Sequence, residues 1–134
     1  MNKPKKGIAV DAWCSKNPGK GGYKAVDIAT GKKLFEWKCD YTTNNLVEYI
    51  AIAHAIMWCD KYRPKETIWT DSTVAKNWIL KNECKTRENL DNLPLLKNRV
   101  EKTIQYLKTN QTKTKLIHWK TKEWGQIPAD FGRK

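Results

Sequence analysis

"TTNNLVEYIAIAHAIMWC", residues 42–59, reads as one long helix, apolar nearly all round, with Thr43 or Asn44 as its N-cap. Its single charge, Glu48, lies one turn in. A helix with no polar face belongs in the interior of a fold, so a second structural layer must surround it. Upstream, "GIAVDAW" (7–13), "YKAVDIA" (23–29) and "KLFEWKC" (33–39) read as three antiparallel strands. The Asn-Pro-Gly and Gly-Gly steps of "CSKNPGKGG" signal a turn after the first strand, and "TGK" makes a hairpin of the other two. Downstream, Pro64 stops the helix and "TIWT" (67–70) is a short strand. Residues 73–82 form a second helix, and 93–109 a third, with Leu93, Leu96, Val100, Ile104 and Leu107 on one face. Residues 114–119 are a last strand. Strands joined by helical crossovers predict an α/β fold, a mixed sheet with helices on both faces.

The chain has 134 residues, the size of one domain, with 26 Lys and Arg against 14 Asp and Glu. The resulting net charge of +12 is spread over residues such as Lys16, Lys76, Lys85, Arg87, Lys120 and Arg133. That pattern predicts a folded basic surface for a polyanionic partner such as nucleic acid. No apolar run approaches the roughly 20 residues that span a bilayer, and "MNKPKKG" has no signal-peptide core behind it. A soluble, cytoplasmic protein with no membrane partner is the expectation. Cys14, Cys39, Cys59 and Cys84 show neither CxxC pairing nor zinc-ligand spacing, and read as reduced thiols.

Four carboxylates stand out. Glu48 is embedded among Leu46, Val47, Ile50 and Ile52, where an ionised group without a partner costs several kcal/mol. It is either a helix N-terminal acid favoured by the dipole or part of a site. Asp11 lies in a strand, where aspartate is depleted, with no lysine near it in the local pattern. Asp71 reads as the N-cap of the second helix, and also falls just past a strand end, where α/β sheets place their ligands. Asp130 on its own reads as surface. Carboxylate oxygens without histidine or cysteine suit Mg²⁺ or Mn²⁺, and with a charge of +12 they predict metal-assisted chemistry on a phosphodiester.

Taken in order, "VDAWCSKNPGKGGY" (10–23), "TTNNLVEY" (42–49), "IWTDS" (68–72) and "WGQIPADFGRK" (124–134) resemble the type 1 ribonuclease H family over nearly the whole chain. The tail is similar to a short-C-terminus bacterial branch. The resemblance implies a three-layer fold with a five-stranded mixed sheet, and one catalytic domain over 1–134. It implies an endoribonuclease that cuts the RNA strand of RNA–DNA hybrids by two-metal-ion hydrolysis, leaving 5′-phosphate and 3′-hydroxyl ends. Asp11, Glu48, Asp71 and Asp130 would be the catalytic ligands of two Mg²⁺ ions, with Mn²⁺ as a substitute and Asp71 as the bridge. Asn17, Asn44 and Asn45 would face the minor groove, where 2′-hydroxyls mark RNA. Thr43, Asn45 and Thr86 would hold a phosphate of the DNA strand, and Trp78 would pack on its sugars or, as the plain alternative, face the core. A monomer is expected.

The departures from the family pattern also carry information. The loop histidine that commonly precedes the last aspartate is missing, and His54 and His118 read as an ordinary helix residue and an ordinary strand residue. The expectation is of neither a basic helical protrusion, for which residues 83–92 are too few, nor a separate N-terminal hybrid-binding domain, which predicts modest affinity with strong salt dependence. Thr73 stands where some relatives place a base-contacting amide. Gln126 occupies a position that is often Glu in this branch, and its spacing from Asp130 predicts a supporting place at the edge of the metal cluster. Two other classes keep parts of the pattern. A polynucleotidyl transferase shares the sheet and acids but places its last acid, a Glu, on a long C-terminal helix. A binding module keeps the basic surface without needing four carboxylates.

Overall fold

The long apolar helix is buried because it is packed on two sides at once. α1 (Asn44–Tyr62) lies against the sheet strands on one flank and against α2 (Thr73–Leu80) and α3 (Pro94–Thr109) on the other. Leu46, Val47, Ile50, Ala51, Ile52, Ala55 and Ile56 are all buried, and the helix is exposed only at its ends, at Asn44, Asn45, Lys61 and Tyr62. Thr43 is the N-cap, its hydroxyl oxygen accepting the Leu46 N–H at 3.3 Å. The computed structural model of the protein describes residues 3–130, so the 131–134 part of the tail motif, Arg133 included, lies outside the described residues.

The strands are β1 (Ile8–Cys14), β2 (Gly19–Asp27), β3 (Lys33–Thr42), β4 (Thr67–Thr70) and β5 (Lys115–His118). They form one mixed sheet in the order β3-β2-β1-β4-β5. β1, β2 and β3 are antiparallel, while β4 and β5 run parallel to β1 through helical crossovers. One face carries α1 to α3 over Ile8, Val10, Tyr23 and Ile68. The other is covered by a thinner layer, Trp119 just after β5, the single-turn α4 (Thr121–Trp124) and the segment after it, with Trp119, Trp124, Ile127 and Ala129 clustered with Ala9 and Val26.

Two sequence expectations are corrected here. Gly19, Gly21 and Gly22 read as turn residues, yet they lie inside β2. A Cβ on Gly21 would sit 2.5 Å from Thr42 Cγ2, and one on Gly22 would sit 2.5 Å from the Trp37 carbonyl oxygen. Gly21 and Gly22 therefore answer close strand packing rather than a bend, while Gly19 does serve the turn, where a Cβ would sit 2.0 Å from the Ser15 carbonyl oxygen. The N-cap of α2 is Ser72, whose hydroxyl accepts the Ala75 N–H at 3.1 Å, not Asp71. The four cysteines are free thiols.

Asp60, near the end of α1, ties three pieces of chain together. It accepts hydrogen bonds from Tyr106 of α3 at 2.5 Å, Thr112 at 2.7 Å and Thr114 at 3.0 Å. Burial and this bond push the Tyr106 phenol up to about 12. Asp60→Ala strands three hydroxyls, and an expected loss of about 2–3 kcal/mol follows from hydrogen bonds to a charged acceptor. Urea unfolding measures it, and a loss below about 0.5 kcal/mol, the ordinary surface value, would show that water replaces the carboxylate.

His54, on the α1 face toward β2 and β3, stacks on Phe35 with ring centroids 3.8 Å apart and shares a 2.6 Å hydrogen bond with the Tyr23 hydroxyl. Arg99 donates to the same hydroxyl and lies over Trp37. Burial, aided by Arg99, pushes the imidazole down from 6.5 to about 4. The unfolded chain therefore takes up a proton that the folded one refuses as pH falls from 6.5 toward 4, and stability drops across that window while remaining complete above it. In His54→Phe the loss between pH 7 and pH 5 is expected to shrink. An equal loss in both proteins would place the titration elsewhere.

Candidate active site

Three carboxylates from three separate elements meet at one end of the sheet. Asp11 is in the middle of β1 and 1% exposed, Glu48 is half-buried in the second turn of α1, and Asp71 follows the last residue of β4. β1 and β4 pair in parallel with Ile8 opposite Ile68 and Ala9 opposite Trp69, and continuing that register brings Asp71 alongside Asp11. One oxygen from each of the three lies within 4.8 Å of the others. Asp11 also has Lys24 directly opposite it on β2, a neighbour invisible until the strands are paired. The local pattern around Asp11 offers no lysine, and the β1–β2 register supplies one.

Three acids this close repel one another, and burial of Asp11 adds to the cost of its charge. A divalent cation relieves both. Oxygens that share one such ion at about 2.0–2.6 Å can be no more than about 5 Å apart, a limit the trio meets. The donor set is all oxygen, which suits a hard cation.

Asp130 is not one of the trio among the described residues. It is half-buried, its N–H donates to the Ile127 carbonyl at 2.8 Å, and it follows Ala129, which is fully buried. Ala129 belongs to the same cluster as Ala9, which precedes Asp11 by two residues on β1. The packing therefore carries the chain toward the acidic end. Gln126 is exposed, between the buried anchors Trp124 and Ile127.

Next to α1 lies an open cleft of about 600 Å³. Asn17, Thr43, Asn44, Asn45, Trp78 and Thr86, all six residues singled out as substrate contacts, line it together. Lys85, Arg87 and Glu88 join them, and the first two make one wall cationic. The Asn17 side-chain oxygen accepts the Asn44 N–H at 2.9 Å, which leaves its amide N–H groups as the donors for a ligand. Thr43 accepts as a helix cap and can still donate its hydroxyl proton. Trp78 is both things the sequence allowed, a cleft-lining residue and a partner of the core through Tyr49, with ring centroids 6.1 Å apart.

Sequence reasoning passed over a second group. A hollow of about 430 Å³ has Asp71 on one side and His118, Lys120, Thr121, Lys122 and Glu123 around the rest. His118 pairs with Thr70 across β4 and β5, so it sits one residue away from Asp71 in the next strand. The available signal was positional, since His118 ends β5 and Asp71 follows the end of the parallel neighbour β4.

A sheet of this topology, with an acidic trio at one end of its inner strands β1 and β4 and a cationic cleft beside it, is an α/β architecture suited to metal-assisted chemistry on a polyanion. A family profile for RNase H matches residues 3–123, ending before Asp130. Ribonuclease H from Caldicellulosiruptor saccharolyticus is 35% identical over 117 residues, which are 79% of this chain and 77% of that protein. Ribonuclease HI from Rickettsia prowazekii is 37% identical over 89 residues, 59% of this chain and 57% of that protein. Among solved structures, LC11-RNase H1 isolated from compost superposes with a TM-score of 0.58 at 24% identity, covering 92% of this chain and 88% of that one. The same protein in complex with an RNA/DNA hybrid gives 0.52 at 19% identity, covering 87% and 86%. The chain belongs to the RNase H family, and it is a ribonuclease H hydrolase.

Proposed function

We propose that this chain cleaves the RNA strand of RNA–DNA hybrids by hydrolysis assisted by two divalent ions, leaving 5′-phosphate and 3′-hydroxyl ends. The observation that carries the reading is the convergence of Asp11, Glu48 and Asp71 beside a cleft lined by amides, hydroxyls and cations. Those three, with Asp130, would hold Mg²⁺, for which Mn²⁺ would substitute. A divalent ion held there would supply a more acidic bound water and stabilisation of charge on the leaving oxygen. The chain's own residues bind and orient the duplex. Asn17, Asn44 and Asn45 offer donors and acceptors to a minor groove whose 2′-hydroxyls distinguish RNA from DNA. Thr43, Thr86, Lys85 and Arg87 take the backbone phosphates of the other strand, contacts that fix register without reading sequence. The related LC11-RNase H1 has been solved with an RNA/DNA hybrid, which supports the substrate class.

Incubating end-labelled hybrid, duplex DNA and duplex RNA with Mg²⁺, and again with a chelator, tests the reading. Cleavage of the RNA strand of the hybrid alone, lost on chelation, is the expected result. Strand joining would point to a transferase, and binding without cleavage to a binding module.

A further inference from the structure

We propose that Tyr41 is a positioning residue for the phosphate-binding wall of the cleft, holding the Glu88 carboxylate aside so that Lys85, Arg87 and Thr86 can receive a backbone phosphate. This rests on the hybrid-cleavage reading above. The wall in question, residues 83–89, connects α2 to a short 3-10 helix at Leu90–Asn92 and has no strand or helix ladder of its own. Its place is set by side chains. Tyr41 donates its hydroxyl proton to Glu88 Oε1 at 2.6 Å, and the Glu88 N–H donates to Thr86 Oγ1 at 3.2 Å. That second bond uses an acceptor position on Thr86 and leaves the hydroxyl proton for a ligand.

Tyr41 is the second-last residue of β3, two before the cap Thr43 that begins the opposite wall. The Tyr41–Glu88 bond therefore ties the end of β3, which leads into Thr43, to the segment that carries Lys85, Thr86 and Arg87, and Tyr41 lies on the flank of the cleft rather than among its lining. It also deals with a conflict of charge. Glu88 lines the same cleft as Arg87 and Lys85, of which Lys85 is already paired with Glu83 at 3.3 Å, and an unoccupied carboxylate there would compete with phosphate, for Arg87 above all. A donated hydrogen bond from Tyr41 fixes that carboxylate's direction and partly satisfies it. The bond has the corresponding effect on its donor, raising the Tyr41 phenol above its ordinary value. Both side chains reach solvent, with Tyr41 39% exposed, so the pair adds little to folding and its consequence falls on the ligand.

The test measures binding of an RNA–DNA hybrid by fluorescence anisotropy with metal chelated, and steady-state cleavage with Mg²⁺, in the full chain. Tyr41→Phe is expected to weaken hybrid binding about fivefold and to raise KM with kcat at saturation unchanged. Its melting temperature should match the parent. Adding Glu88→Gln to Tyr41→Phe removes the competing charge and should restore affinity to within about twofold of the parent. Equal binding by Tyr41→Phe and parent would overturn the proposal, and so would a double variant that stays as weak as the single one. A parent that binds no hybrid would instead overturn the hybrid reading itself, and this proposal with it.

Discussion

Asp71→Asn is expected to abolish hybrid cleavage, by about a thousandfold or more, while hybrid binding in chelator stays within about twofold of the parent. The amide keeps the shape of the aspartate at the end of β4 and its place before the Ser72 cap, so α2 should begin where it does now. What it loses is one of three anionic oxygens gathered within 4.8 Å. With that charge gone the remaining pair attracts a dication less strongly, and ion binding measured by calorimetry should weaken in parallel with the rate. The melting temperature in chelator should stay level or rise, since one like charge has left the cluster. Cleavage within tenfold of the parent would remove Asp71 from the site.

Much of this arrangement was legible because local chemistry and global fold agree. β4 was read to the residue from four letters, since Thr, Ile and Trp favour strands and polar residues bound the run. α1 was read as buried because its sequence has no polar face, and Glu48 was conspicuous for the same reason. Apart from the α2 cap, where adjacent Asp71 and Ser72 are both good capping residues, the misreadings share one cause, that they depend on pairing between distant segments. Gly21 and Gly22 are small because Thr42 and Trp37 approach them from β3, and Lys24 meets Asp11 only through the β1–β2 register. Tyr41 and Glu88 are far apart in sequence and neither breaks a local pattern. The six cleft residues came from resemblance rather than from any periodicity. Three of them, Thr43, Asn44 and Asn45, also look like an ordinary helix start. Asn17 caps that start from a different loop, a contact the chain order conceals.

The second large effect concerns the thin layer that carries Asp130. Trp119 is fully buried, stands edge-on to Trp69 and Trp124 at 6.2 and 5.1 Å between ring centroids, and donates its indole N–H to the Gly125 carbonyl at 2.9 Å. Trp119→Ala should cost about 3–5 kcal/mol, because a large cavity opens in a layer with little else to fill it. That is a large fraction of the roughly 5–15 kcal/mol of a typical domain, so this variant reports on stability alone. Trp119→Phe keeps an aromatic ring and removes the bond that holds Gly125, from which the chain runs through Ile127 and Ala129 to Asp130. If Asp130 completes the acidic site, loosening this segment should slow single-turnover cleavage about tenfold while leaving hybrid affinity in chelator unchanged, since small misplacements of a reacting group are costly. The decisive comparison is in an Asp130→Asn background. There the same Trp119→Phe change should have almost no further effect on rate, because the group it displaces no longer acts. An equal slowing in both backgrounds would mean that the tryptophan layer serves the sheet beneath it and that Asp130 takes no part in the chemistry.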